Sequence, residues 1–129
     1  MKRPIYKIAA IAAAVYQADR ARLIELDREE DRLREQLAEI DTALASLRSR
    51  QTIDPDAARI NGADELWRQW IEVRRTAIMS ERFKVRAKRA DLMLELRKSF
   101  GRSAAADAAA RSEEADERRR LSRQEDWRA

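Results

Sequence analysis

The sequence predicts an all-α fold: a long two-helix antiparallel coiled-coil hairpin with a charged C-terminal helical extension. Three observations lead there. Large apolar residues recur at alternating steps of three and four at Leu23, Leu26, Leu33, Leu37, Ile40, Leu44 and Leu47, the repeat of a coiled-coil seam. A cluster of turn formers between Gln51 and Ala63 divides two long stretches of this kind. The composition agrees, with 40% charged and 5% aromatic residues, 24 Ala, 23 Arg, and only two Gly and two Pro, as in long helices rather than a layered core.

The elements follow in order, as one coiled-coil hairpin over residues 1–129. Met1-Lys2-Arg3 before the apolar run Ile8 to Val15 has the outline of a signal peptide. The run is short and mostly Ala, Lys7 precedes it, and the cleavage candidate Ala12-Ala13-Ala14 would fall inside it. A helix start is therefore expected, with export as the alternative. Pro4 suits a first helical turn, where its missing N–H would be unpaired anyway. The first helix is expected over about residues 5–50, roughly 65–70 Å long. Ile5, Ile8, Ala12 and Val15 extend the stripe upstream, and an extra step of four through Asp19 brings them into the Leu23 register. That is a stutter, which unwinds a supercoil locally. Glu30 alone interrupts the stripe, as a device for register or against self-association; replacing it with Leu is expected to stabilise the hairpin.

The turn is expected at about residues 51–63. Asp54-Pro55 reads as a cap and first turn for a short helical segment, Pro55 to Ile60. Asn61-Gly62 then reverses the chain, and Asp64 caps the second helix, expected over about residues 64–125. Its stripe is Trp67, Ile71, Ile78, Val85, Leu92 and Leu96, with Arg75, Arg82 and Arg89 at the seam edge, where the stems lie along the seam and the heads reach water. Gly101 is a weak point, since Gly inside a helix costs ~1 kcal/mol relative to Ala; a bend at residues 100–103 is one outcome. A turn centred near Asp56 sets residue 5 opposite residue 107, leaving the charged segment Arg111 to Arg128 to overhang.

The missing residue types bound the chemistry. With no Cys and no His, thiolate nucleophiles, Cys-based metal sites and the commonest general base and metal ligand are all absent. Paired carboxylates would need a desolvated pocket, which a two-helix seam does not offer. The expectation is a protein that is not an enzyme, takes no cofactor and acts by contact with other proteins. No stretch reaches the 18 or so apolar residues of a membrane span.

Three features are candidate contacts. Trp67 and Trp70 open the second helix three residues apart, with Trp67 in the seam and Trp70 at its edge. Either both staple the hairpin end, or Trp70 with Ile71, Val73 and Arg74 forms an exposed anchor, since Trp and Arg dominate interface hot spots. Arg68 to Arg102 holds 11 basic and 4 acidic residues, a local net of +7. A solvated face is the first reading and an acidic protein surface the second. Nucleic acid comes third, because phosphate attraction lacks a base-stacking platform here. Arg118, Arg119 and Arg120, balanced by Glu113, Glu114, Asp116 and Glu117, are the third feature. At ~1.5 Å per residue, Trp70 and Arg118 are separated by about 70 Å along one helix, too far for one compact partner.

Two stretches carry a family resemblance. One is Arg59-Ile60-Asn61-Gly62 with Trp67-Arg68-Gln69-Trp70-Ile71; the other is Arg102-Ser103-Ala104-Ala105-Ala106-Asp107, continuing through Glu113 and Arg118 to Asp126. With the hairpin architecture they resemble the FliJ/YscO-like soluble stalk proteins of flagellar and virulence type III protein export. The resemblance covers most of the chain. It implies a cytoplasmic, non-enzymatic stalk or adaptor whose termini enter the pore of an export ATPase hexamer. Another part of the coiled coil would touch the cytoplasmic domain of the membrane export gate, and some members also bind empty export chaperones. The alternatives are a nucleic-acid-associated basic coiled coil and an exported periplasmic helical protein.

Overall fold

The computed structural model describes residues 3–53 and 62–128, which form two helices packed antiparallel in an all-α hairpin, with no strand among them. Helix α1 runs Pro4–Ile53 and helix α2 runs Ala63–Arg128. Asp54, the short turn expected at Pro55 to Ile60, and Asn61 lie outside the described residues. Pro4 is the first helical residue, and the Tyr6 N–H donates to the Arg3 carbonyl at 3.1 Å. At α2 the Leu66 N–H donates to the Gly62 carbonyl at 3.2 Å. The cap position therefore belongs to Gly62 and not to Asp64. Asp64 and Glu65 stand inside the first turn, where negative charge complements the helix dipole. The helix continues unbroken through Phe100 and Gly101.

The pair divides into two compact units, Ile24–Ala90 and Met1–Leu23 with Asp91–Ala129. In the first, the core is Leu33, Ile40, Ile71, Ile78 and Val85, with Leu26, Leu37, Leu44 and Trp67 half-buried against it. These are the stripe residues of the repeat, each burying an apolar side chain worth about 1.5–3 kcal/mol when fully covered. A two-helix seam leaves its sides open, so no side chain among the described residues is wholly enclosed.

Beside that apolar layer runs an ionic one. Arg75, Arg82 and Arg89 recur every seven residues on α2 and each meets an acid of α1. Arg75 Nε donates to Asp41 Oδ1 at 3.0 Å and Arg89 Nε to Asp27 Oδ1 at 2.8 Å. Arg82 Nε stands 3.6 Å from Glu30 Oε1, which accepts from Arg86 Nε at 3.0 Å. Partner numbers fall on α1 as they rise on α2, which is the antiparallel register in its own words. Pairing α2 with a second α2 would bring these arginines together, so the charge pattern favours α1 as partner.

The second unit has a different seam. On α1 the residues turned inward are Ile5, Ala9, Ala12, Tyr16, Asp19 and Leu23; on α2 they are Leu92, Leu96, Ser99, Ser103, Ala106 and Ala110. The α1 steps alternate four and three without interruption. The expected stutter is absent, and Ile8 and Val15, expected in the stripe, face solvent. Size accounts for one of the two: opposite Ala106 and Ala110 the seam takes Ala9 where Ile8 would crowd it, whereas Val15 gives way to Tyr16, whose ring packs against Phe100. The cost is a buried Asp19, whose carboxylate has Arg22 at 3.9 Å. Tyr16 and Phe100 pack with ring centroids 5.5 Å apart, and the Arg20 guanidinium lies 5.8 Å above the Tyr16 ring. Arg3 pairs with Glu113, so the partners lie about one helical turn further along α2 than the expected match of residue 5 with residue 107.

Candidate protein-interaction surfaces

The start of α2 carries the first surface. Trp67 is half-buried against the core cluster, as the seam position requires. Trp70 is 59% exposed, whereas Ile71 is 6% exposed and belongs to the core. Ile71 is therefore no part of an exposed anchor, because a one-residue step on a helix turns a side chain by ~100°. Val73 and Arg74 are exposed. The structure adds Leu66, exposed in the same region. Leu66, Trp70 and Val73 follow steps of four and three, so they form one solvent-facing apolar stripe beside the core stripe. Trp67 packs in the seam and Trp70 stands exposed beside it. The signal for Leu66 was its spacing from Trp70, which the seam at Trp67 and Ile71 overshadowed.

The second surface is the C-terminal part of α2. Every residue from Asp116 to Arg128 is exposed, including Leu121 and Trp127. Arg118 makes no ion pair among the described residues; Arg119 lies 3.4 Å from Asp116, and Arg120 lies 3.8 Å from Glu113. Glu113 thus serves both Arg120 and Arg3. Such exposed pairs contribute about 0.2–1 kcal/mol each, leaving the arginine heads available at little cost.

The basic stretch of α2 resolves into two kinds of basic residue. Arg75, Arg86 and Arg89 are tied to α1 acids, while Arg74, Lys84 and Lys88 are exposed and make no ion pair among the described residues. Glu30 is the hub of the ionic layer, with Arg34 at 4.0 Å in addition to Arg82 and Arg86. The hydrogen bond from Arg86 chiefly holds its carboxyl below the ordinary carboxylate range, against the opposing effect of burial. The charges of Arg86, Arg34 and Arg82 add to the lowering. Glu30, read from the interrupted stripe as a device for register or against self-association, is the shared acceptor for Arg82 and Arg86 of α2.

A groove of about 560 Å³ in the unit of Ile24–Ala90 is open and lined by Asp41, Leu44, Ala45, Arg48, Glu72, Arg75 and Thr76. Among the described residues no group of three His, Cys, Asp or Glu is placed to hold a metal ion. No helix among them is long and apolar enough to cross a membrane. No protein-family model, curated protein or solved structure matches the chain.

Proposed function

We propose that this chain is a non-enzymatic stalk or adaptor in the ATPase complex of a type III protein export apparatus, working in the cytoplasm. Its partners would be the export ATPase hexamer and the cytoplasmic domain of the export gate, with export chaperones as further clients. One observation carries the reading: the hairpin exposes two contact features of opposite chemistry, in different units. Leu66, Trp70 and Val73 present an apolar stripe in the unit of Ile24–Ala90; Arg118, Arg119 and Arg120 stand on the bare end of α2 in the other. A coupling protein needs separate surfaces for separate partners, and a stripe and a charge cluster select partners by different physics. The sequence resemblance supplies the assignment, with the Trp70 surface serving the gate and the arginines the ATPase.

The test is capture from a native lysate with the tagged chain, followed by identification of what co-purifies. Recovery of export ATPase and gate components is the expected result. Recovery of nucleic acid that is released as salt rises, with neither component, would replace this reading with the basic coiled-coil alternative.

A further inference from the structure

The N-terminal third of α1 is unlike the rest of the chain. Although 40% of all residues are charged, none is charged from Ile8 to Ala18. The seam uses only Ala9, Ala12 and Tyr16 of this segment, and leaves Ile8, Ile11 and Val15 exposed at 54%, 64% and 47%. Steps of three and four put these three on one helical face. A helix apolar on every side is ordinarily buried on every side.

The exposed face borders a groove of about 490 Å³ between α1 and α2, within the unit of Met1–Leu23 and Asp91–Ala129. Its floor and walls are Ile8, Ile11, Ala12, Val15, Ser99 and Ala105, and its one charged wall residue is Arg102. No acidic residue lines it. Lys7 is exposed next to Ile8, and neither Lys7 nor Arg102 makes an ion pair among the described residues. In a chain where most seam arginines are matched to acids, the groove-wall cation Arg102 and the exposed Lys7 on α1 stand without an ion pair among the described residues.

We propose that this groove is a docking site for one amphipathic helix of a partner protein, with an aliphatic stripe flanked by acidic residues. Charge and area both select that occupant. Acidic flanks complement Lys7 and Arg102. Ile8, Ile11 and Val15 offer on the order of 300 Å² of apolar surface, the size of a functional patch on a monomer. That is well below the ~800 Å² per partner of a standard stable interface, so a second copy gains too little. A second copy would also bring two positively flanked faces together. Helix-in-groove recognition seats an apolar helix face in such a groove through anchors at helical spacing. The site is separate from the Trp70 stripe and from Arg118 to Arg120, and stands independently of the proposed export role.

The probes are two designed, fluorescently labelled helical peptides of about 18 residues, five turns each. Both carry one Leu stripe; one has Glu on its flanks and the other Lys. Anisotropy titrations of the full chain should show binding of the Glu peptide and at least about tenfold weaker binding of the Lys peptide. Ile11→Gln should weaken the Glu peptide at least about tenfold with unchanged circular dichroism, because Ile11 faces solvent. Arg102→Glu should reverse the preference between the peptides. Binding of neither peptide, equal binding of both, or indifference to Ile11→Gln overturns the proposal. So does sedimentation showing a wild-type dimer that Ile11→Gln dissolves, since the occupant would then be a second copy.

Discussion

Replacing Leu33 with Ala tests the seam where it is deepest. Leu33 is 4% exposed and belongs to the cluster with Ile40, Ile71, Ile78 and Val85. The change removes three carbons, at about 0.8 kcal/mol for each buried one, or roughly 2.4 kcal/mol in all. A closed core would add a cavity term and bring the cost to as much as about 5 kcal/mol. Here the seam is open at its sides, water reaches the vacated space, and the added term is small. Leu and Ala have nearly equal helix propensity, so the helix itself loses little. The expected result is a loss of about 2–3 kcal/mol, roughly a 30- to 160-fold shift in the unfolding equilibrium. Ile24→Ala in the same unit is the control: Ile24 is 49% exposed, and the better helix propensity of Ala offsets what burial it loses. Urea unfolding followed by circular dichroism reads both, with slopes compared as well as midpoints. Equal losses at Leu33 and Ile24, or a loss below about 1 kcal/mol at Leu33, would refute the register.

Other outcomes follow from the same structure. Leu37→Asp puts a carboxylate among half-buried apolar groups, and its desolvation, about 1–3 kcal/mol beyond the lost burial, should melt the hairpin; an unchanged thermal melt would contradict its seam position. Glu30→Leu, expected from the sequence to stabilise, should instead destabilise, because it strips the shared acceptor from Arg82 and Arg86. Because the Glu30 pKa is lowered in the fold, its contribution is complete above the ordinary carboxylate pKa and is lost as pH falls through the lowered value. The stability gap between wild type and Glu30→Gln should therefore close on acidification from pH 7; a gap independent of pH would contradict the ion cluster. A double-mutant cycle on Arg75 and Asp41, an exposed pair, should give a coupling below about 1 kcal/mol; a larger value would mean that the ionic layer is shielded from water.

The parts of the fold legible in the sequence are those where apolar bulk decides the packing. Leu33, Ile40, Ile71, Ile78 and Val85 are large, regularly spaced and inward-facing, so pattern and burial agree. Near the N-terminus bulk misleads. Ile8 outranks Ala9 in hydrophobicity, yet Ala106 and Ala110 opposite leave room for the small residue, and Tyr16 takes the place expected of Val15 by packing on Phe100. Counting apolar residues on one helix cannot register what the facing helix has room for. The partners of Glu30 were hidden in the same way, since they are Arg82 and Arg86, more than fifty positions away. Among the candidate contact residues, the exposure of Trp70 and Val73 follows from helical phase and that of Arg118 to Arg120 from the charge of the terminal segment. Ile71 was drawn in by adjacency to Trp70 and Leu66 was missed, both because a surface stripe runs one position away from the core stripe.

The claim most worth measuring is that two surfaces serve two partners. Trp70→Ala and the combined Arg118→Glu, Arg119→Glu variant should be titrated separately against isolated export ATPase and isolated gate domain, each at low and high salt. Trp70→Ala should weaken the gate contact with little salt dependence, because apolar burial is not screened. The arginine reversal should weaken the ATPase contact, steeply at low salt, since exposed charges act over a screening length of ~8–10 Å. Both variants should keep wild-type helicity. If both changes weaken the same partner equally and spare the other, or if neither partner binds the wild-type chain, the two-surface adaptor is contradicted.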